Sequence, residues 1–368
     1  MTEIKVGLIA APEFPTHVAE DLIEELPNLF KQEITEEYTW LLEEETDSII
    51  TIAEDEHELL DGVVDIQQRK EWDYTLCLTD IPIFYEKNIV LVRVNPNHHV
   101  AILSLPALGW FVNRRIQSMV LEVMSNLYYA STEQTRDRAD EKFTFSTIKK
   151  IKTTEDDQLV LRYHFSSNIV GFFTLLSGMT YDNQPWKIMG SLKKVIAIAF
   201  GSGAYGMIFP TLWMISYNYS PWRLGLLTIL AILGLGLWII QGHDLWETTT
   251  LTGDNTYRKL YNLATIATLF LAVSFFYIIL YFLFLLTALV FIDPEFYMEQ
   301  VGSSSLPTLT NFLQVAWITA SVGTITGAVG VGLENEQKVR STTYGHRQRA
   351  RYQQMQKRKQ EDNKESSE

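Results

Sequence analysis

The longest uncharged stretch of this chain, residues 262–292, contains no Asp, Glu, Lys or Arg over 31 positions. As a helix it would measure roughly 46 Å, whereas the hydrocarbon core of a bilayer is about 30 Å thick. A helix of this composition has no polar face to present to water, so this stretch constrains the fold more than any other feature. It predicts a membrane-spanning helix that tilts, bends or projects beyond the bilayer.

Three further uncharged stretches follow the same pattern, at residues 195–216, 224–240 and 309–333. The first covers 22 residues, which is about the length needed to cross a hydrocarbon core. Together with residues 262–292 they predict an all-α transmembrane bundle of four helices within a domain spanning residues 192–333.

The first of these stretches contains the string GSGAYG at positions 201–206, which has the spacing of a dinucleotide-binding fingerprint. Such a fingerprint needs a strand before it, an amphipathic helix after it and an acidic residue about twenty positions further on. After Gly206, however, no acidic residue occurs before Asp244. A nicotinamide-dependent oxidoreductase acting through Gly201–Gly206 is therefore a disfavoured alternative.

In a membrane helix, glycines let neighbouring backbones approach closely. The spacing GTITG at positions 323–327 is the GxxxG pattern of a packed helix face. We therefore predict a helix-packing role for five glycines: Gly201, Gly203, Gly206, Gly323 and Gly327.

Flanking charge predicts the orientation of the bundle, because Lys and Arg accumulate on cytoplasmic loops. Basic residues precede the first stretch (Lys187, Lys193 and Lys194), separate the second from the third (Arg258 and Lys259), and recur in the tail at 334–368. The pattern predicts a multi-pass protein of a bacterial inner membrane with both termini in the cytoplasm. The basic tail is expected to be either disordered or in contact with anionic lipid.

Residues 1–165 have the composition of a separate, acidic soluble domain. They hold 31 Asp and Glu but 15 Lys and Arg, a local charge of 15 minus 31, or −16. This balance argues against nucleic-acid binding, which depends on basic patches. The single cysteine, Cys77, excludes a disulfide framework and a multi-cysteine zinc site, and we expect it to be buried and inert.

The order of elements in this domain is typical of an α/β sheet. Strands are predicted at 4–10, 38–42, 74–78, 88–94 and 99–105, helices from 17, at 56–70 and at 110–129, and a hairpin within 143–165. Residues 166–191 are predicted to be an interfacial linker, since their apolar run is too short to cross a bilayer.

Ligands of open α/β sheets gather at the carboxyl ends of the strands. The polar side chains expected there are Glu13, Thr16, His17, Thr79, Asp80 and Ser104. They could form a small polar cleft, or they could simply cap helices and hold turns, as Thr16 and Asp80 are placed to do. Arg114 and Arg115 could bind an anion or face water. No metal ligand set and no cofactor motif is predicted.

One local resemblance concerns the order LTDIPI, AILSLPALG and a long helix, covering about sixty residues. It resembles the skeleton of archaemetzincin-type metalloproteases, in which the helix carries a His-Glu-x-x-His zinc motif. The matching positions here are Leu121-Glu122-Val123-Met124-Ser125, so the glutamate is kept and both histidines are missing. The resemblance implies a metal-free relative.

The whole chain resembles an uncharacterised family of bacterial multi-pass membrane proteins, some of which are labelled folate dehydrogenases. Its residues do not support that label, which the glycine string at 201–206 is enough to explain.

The sequence favours an integral membrane protein whose cytoplasmic α/β domain binds a protein partner or has a regulatory role. No charge interrupts the apolar stretches, and transporters usually need such charges along their pathway. A membrane-tethered enzyme using the polar cleft is the alternative.

Overall fold

The computed structural model describes residues 3–47, 56–86, 88–131, 148–155, 158–248 and 255–331, together with Thr343, Tyr344, His346, Arg347 and Ala350. The chain divides into two compact units. The described residues of Met1–Asp182 form the first unit, and those of Asn183–Thr250 and Asn255–Arg347 form the second.

The first unit is built on one mixed sheet of eight strands. The strands are β1 (Glu3–Ala10), β2 (Thr39–Thr46), β3 (Tyr74–Thr79), β4 (Ile83–Tyr85), β5 (Asn88–Asn95), β6 (Val100–Ser104), β7 (Ile148–Glu155) and β8 (Gln158–Phe165). Their order is β2-β1-β3-β6-β5-β8-β7, and β4 pairs with β5. The pairs β2–β1, β1–β3 and β3–β6 are parallel, whereas the remaining pairs are antiparallel.

Helices cover this sheet in the way that parallel strands require, because each parallel connection needs a crossover. The helices are α1 (Phe14–Ile23), α2 (Leu26–Glu33), α3 (Glu56–Lys70), α4 (Val112–Ser131) and α5 (Asn168–Asp182), with a short 3-10 helix at Leu105–Leu108. All six residues of β3 are buried. Such a continuous apolar run is typical of a strand covered on both faces.

The predicted α/β sheet is therefore confirmed, including the hairpin β7–β8, and β5 and β6 pair antiparallel. Residues 143–147 of the predicted hairpin lie outside the described residues. The predicted linker at 166–191 differs in the structure, since α5 belongs to the first unit and the next helix to the second. The reason is that the buried face of α5 packs on the 3-10 helix.

The second unit is helical throughout its described residues. Its helices are α6 (Pro185–Ser191), α7 (Lys193–Met207), α8 (Pro210–Asn218), α9 (Pro221–Gly242), α10 (Asn255–Phe291), α11 (Pro294–Val301) and α12 (Leu309–Val331). Three of them, α9, α10 and α12, are long and apolar enough to cross a membrane, and a fourth span results if α7 and α8 are counted together. The long stretch at 262–292 forms one continuous helix of 37 residues with its flanks.

The predicted helix at 195–216 is not continuous. It breaks between α7 and α8, which meet at an angle of 88°. Pro210 opens α8, and Phe209 before it is in the extended conformation. Proline lacks the N–H that would continue the helix and disfavours helical backbone at the preceding residue, which accounts for the break.

Candidate functional site

The carboxyl edge of the parallel strands holds three of the predicted site residues, Thr79, Asp80 and Ser104, all of them fully buried. Thr79 and Ser104 are register partners on β3 and β6. The Ser104 hydroxyl donates to the carbonyl of Ile81 at 2.7 Å, and the Ile81 N–H donates to Thr79 Oγ1 at 3.1 Å. These bonds tie the loop after β3 to the end of β6.

The other predicted site residues follow β1. Thr16 Oγ1 donates to the carbonyl of Ala11 at 2.9 Å and lies 3.4 Å from Thr46 Oγ1 at the end of β2. Glu13 precedes α1 in a left-handed conformation, with φ of 74°. His17 is exposed, and its Nδ1 lies 3.2 Å from Glu20 Oε2.

The structure thus splits the predicted cleft into two parts. Buried side chains hold the loop after β3, whereas the ring of His17 pairs with a carboxylate at the surface. A tethered enzyme that uses the cleft near His17 and Asp80 stays a prediction, and the bonds made by Thr79 and Ser104 hold a turn.

A groove of about 480 Å³ lies in the first unit between α1, the connection from α1 to α2, and α4. Four carboxylates line it, together with amides and apolar side chains: Val18, Glu20, Asp21, Leu22, Glu24, Glu25, Asn113, Ile116 and Gln117. Gln117 Nε2 donates to Glu25 Oε2 at 2.7 Å. The charge of Glu20, in addition to partial burial, raises the pKa of the nearby Glu44 on β2. This face therefore favours a positively charged ligand.

Metal and thiol chemistry gain no support from the described residues. Among them, no group of three or more His, Cys, Asp or Glu is arranged to hold a metal ion. Burial raises the pKa of the Cys77 thiol well above its usual range, so it is not a reactive thiolate.

The positions matched to the metalloprotease zinc motif lie on α4. Glu122 Oε1 accepts a hydrogen bond from Asn126 Nδ2 at 3.0 Å, and Ser125 is buried.

The glycine string lies inside a helix. Residues 201–206 are all within α7, so no strand-to-helix turn is present to hold a pyrophosphate. A Cβ added to Gly203 would meet Phe284 Cζ at 2.3 Å, whereas nothing lies within 4 Å of one added to Gly201. A Cβ on Gly206 would contact only Leu212, at 3.9 Å.

On α12, the GxxxG face packs as predicted. A Cβ added to Gly323 would lie 3.0 Å from the carbonyl of Ala199, and one on Gly327 would lie 3.1 Å from Ala199 Cβ. Within this chain, Gly203, Gly323 and Gly327 therefore lie at close helix contacts, whereas Gly201 adjoins open space and Gly206 makes only an ordinary contact.

A polar network that the sequence reasoning missed joins α9, α10 and α12. Trp317 Nε1 donates to Thr228 Oγ1 at 2.7 Å, and the hydroxyl of Tyr277 lies 3.0 Å from both Thr228 Oγ1 and Ser321 Oγ. Interhelical hydrogen bonds of this kind hold apolar helices together. Isolated Thr, Tyr and Ser within apolar stretches were the available signal.

A second missed contact involves the tail. Arg347 is buried, its Nη2 donates to Asn183 Oδ1 at 2.9 Å, and its guanidinium lies 4.6 Å from the ring centroid of Tyr344. Asn183 Nδ2 in turn donates to Thr268 Oγ1 on α10 at 2.8 Å. Tyr344 and Arg347 of the predicted tail therefore have partners inside the second unit, and contact of the tail with anionic lipid stays a prediction.

Comparison with protein-family models, with curated proteins and with solved structures found no match. The function must therefore be argued from the geometry of the two units.

Proposed function

We propose that this chain is a multi-pass membrane protein whose N-terminal α/β unit acts as a binding module in the cytoplasm. One observation carries the membrane part: large apolar side chains are exposed along the helices of the second unit. Phe291 is 80 % exposed and Val329 is 77 % exposed, and Leu237, Phe282 and Leu286 are more than half exposed. Apolar surface of this extent is unfavourable in water and favourable in lipid.

The charges at the helix ends support a cytoplasmic position for both termini. Lys193 and Lys194 open α7, and Arg258 and Lys259 lie in the first turn of α10. The connection between α10 and α12, at 293–308, holds three acidic residues and no basic one. Counting α7 and α8 as one span gives an even number of crossings, which returns the chain to its starting side. We propose the inner membrane of a bacterial cell.

The role that we propose for the first unit is the binding of a positively charged protein segment in the acidic groove between α1 and α4. The groove combines a volume of about 480 Å³ with four carboxylates, and the chain up to residue 165 carries a charge of 15 minus 31, or −16. Such a field attracts basic partners and raises their rate of association. Two of the polar groups at the strand ends are, in contrast, engaged in holding a loop.

Membrane integration and topology are tested on the full chain in cells. We expect the protein to stay in the membrane pellet after extraction with alkaline carbonate. Single cysteines at exposed positions 97 and 306 should report opposite sides, with Asn97→Cys protected from an impermeant maleimide and Leu306→Cys labelled. Release by carbonate, or labelling of both positions in intact cells, contradicts this part of the proposal.

The binding role is tested by a photo-crosslinking amino acid at Gln117 in the groove, with the exposed Asn97 in the turn between β5 and β6 as the matched control. We expect a discrete adduct from position 117, absent from position 97 and lost when Glu20, Asp21 and Glu24 are replaced by their amides. An adduct that survives this neutralisation would argue against an electrostatic groove.

A further inference from the structure

A second surface of the first unit combines exposed apolar side chains with basic ones. On α5, Ile169 is 71 % exposed and Phe173 is 65 % exposed, and Phe111, just before α4, is 55 % exposed. The N–H of Trp110 donates to Ser177 Oγ on α5 at 3.3 Å, which places Phe111 beside this helix. We call Phe111, Ile169, Val170, Phe172 and Phe173 the apolar face.

The opposite side of α5 is held firmly against the sheet unit, so the apolar face cannot rotate inward. Leu175 and Met179 are fully buried. A Cβ on Gly178 would lie 2.0 Å from the carbonyl oxygen of Pro106, and one on Gly171 would lie 2.8 Å from the ring of Phe165. Only glycine fits at these two contacts, so turning the helix to bury Phe173 would drive other side chains into the space of the glycines.

The charges around the apolar face differ from those of the rest of the unit. Residues 88–121 and 158–181, which supply Phe111, the start of α4 and all of α5 except its buried last residue Asp182, contain no Asp or Glu. The guanidinium carbon of Arg114 lies 5.7 Å from the ring centroid of Phe111. Arg115 lines a cavity together with Val170 and Thr174 of α5. The same cavity is lined by Ile148 on β7.

We propose that the apolar face, flanked by Arg114 and Arg115, docks the first unit onto an anionic bilayer surface. Interfacial helices bind lipid through aromatic and aliphatic side chains on one face and Lys or Arg beside them. Each basic residue near such a surface contributes about 1 kcal/mol. The chain itself reaches the bilayer nearby, since only residues 183–192 separate α5 from the start of α7. The inference rests on the proposed membrane location of the second unit.

The occupant is a bilayer rather than a basic protein because the charges match. The groove lined by four carboxylates suits a cationic partner, whereas Arg114 and Arg115 lie beside the apolar face and residues 88–121 and 158–181 contain no carboxylate. Anionic headgroups complement the two arginines, and the acyl region complements Ile169 and Phe173.

The test uses the full chain in nanodiscs, with Cys77 replaced by alanine and one nitroxide label per protein. Labels are placed at Phe173→Cys on the apolar face, at Leu41→Cys on edge strand β2 as an exposed apolar control of the same unit, and at Phe282→Cys on α10. Collision with oxygen and with a water-soluble nickel chelate is measured in discs of phosphatidylglycerol and of phosphatidylcholine.

We expect position 173 in phosphatidylglycerol discs to behave like position 282, with high oxygen accessibility and a several-fold loss of nickel accessibility. Position 41 should remain accessible to nickel in both lipids. The variant Arg114→Glu should restore nickel accessibility at position 173. The control variant Lys31→Glu, which changes the net charge equally on α2, should not.

Two results overturn the docking proposal while leaving the proposed function intact, provided that position 282 reports lipid. One is nickel accessibility at position 173 equal to that at position 41. The other is protection of position 173 from both reagents, which shows that protein covers the face, in a second copy or a partner. Nickel accessibility at position 282 overturns the membrane location itself and the docking proposal with it.

Discussion

Two glycines of α7, only two positions apart, should respond in opposite ways to the same substitution. A Cβ on Gly203 would lie 2.3 Å from Phe284 Cζ and 2.9 Å from Phe284 Cε1. Ordinary carbon contacts are about 3.5–4.0 Å, so the ring would have to retreat by more than 1 Å. Phe284 is fully buried and stacked on Phe200 at 5.3 Å, which leaves it little room to move.

The expected cost of Gly203→Ala is therefore that of overpacking a core, about 1–3 kcal/mol. Gly201→Ala introduces the same methyl group where nothing lies within 4 Å, and alanine is favoured over glycine within a helix by about 0.5–1 kcal/mol. The two variants should differ by about 1.5–4 kcal/mol in the free energy of unfolding.

The assay is unfolding of the purified protein in mixed micelles at rising mole fraction of sodium dodecyl sulfate, followed by the helical circular dichroism signal. Both variants share an unchanged first unit, so a difference between their midpoints reports the second unit. The midpoint should fall for Gly203→Ala and stay level or rise for Gly201→Ala. Equal midpoints would refute the packing of Phe284 against α7.

Three further predictions concern single substitutions. Gly178→Ala places a Cβ 2.0 Å from a main-chain carbonyl and should lower the free energy of unfolding by about 3 kcal/mol or more, whereas Gly190→Ala, with nothing within 4 Å, should not, as measured by thermal denaturation. Thr228→Val removes the oxygen that accepts the indole N–H and contacts the tyrosine hydroxyl, so the dodecyl sulfate midpoint should fall by the equivalent of about 0.6–1.7 kcal/mol. Burial and a nearby carboxylate raise the pKa of Glu44 in the folded state, so its ionisation destabilises the fold as the pH rises above its unfolded value of 4.5. Glu44→Gln should therefore raise the melting temperature at pH 7, and this gain should disappear below the unfolded-state pKa of 4.5. A gain of the same size for the control variant Glu33→Gln would show that the effect is one of net charge.

Features set by local composition were predictable from the sequence. The alternation of buried strands and amphipathic helices predicted the α/β sheet, since side-chain periodicity follows directly from backbone geometry. The helix predicted at 56–70 matches α3 at both ends. The long uncharged stretches likewise predicted α9, α10 and α12, because the length and the apolar composition of a segment are both given by its sequence alone.

The candidate site was less predictable. Chain order places Thr79 and Ser104 at the ends of their strands, and the register of β3 and β6 makes them partners. In the loop that returns over this edge, the Ile81 N–H donates a hydrogen bond to the Thr79 hydroxyl, and the Ile81 carbonyl accepts one from the Ser104 hydroxyl. Composition does not indicate which polar side chains a loop will use, because that depends on the path of the backbone.

The sequence by itself determined which segments are long and apolar enough to cross a membrane and which class of fold each part adopts. Only the tertiary structure decided that Gly203 packs and Gly201 does not, since the choice depends on which face of α7 meets Phe284. It also decided that Arg347 is buried beside Asn183, 164 positions away in the chain. Preferences for helix, strand or an apolar environment depend on neighbouring residues and are visible in the sequence. Packing and burial depend on residues that the fold brings together from distant positions.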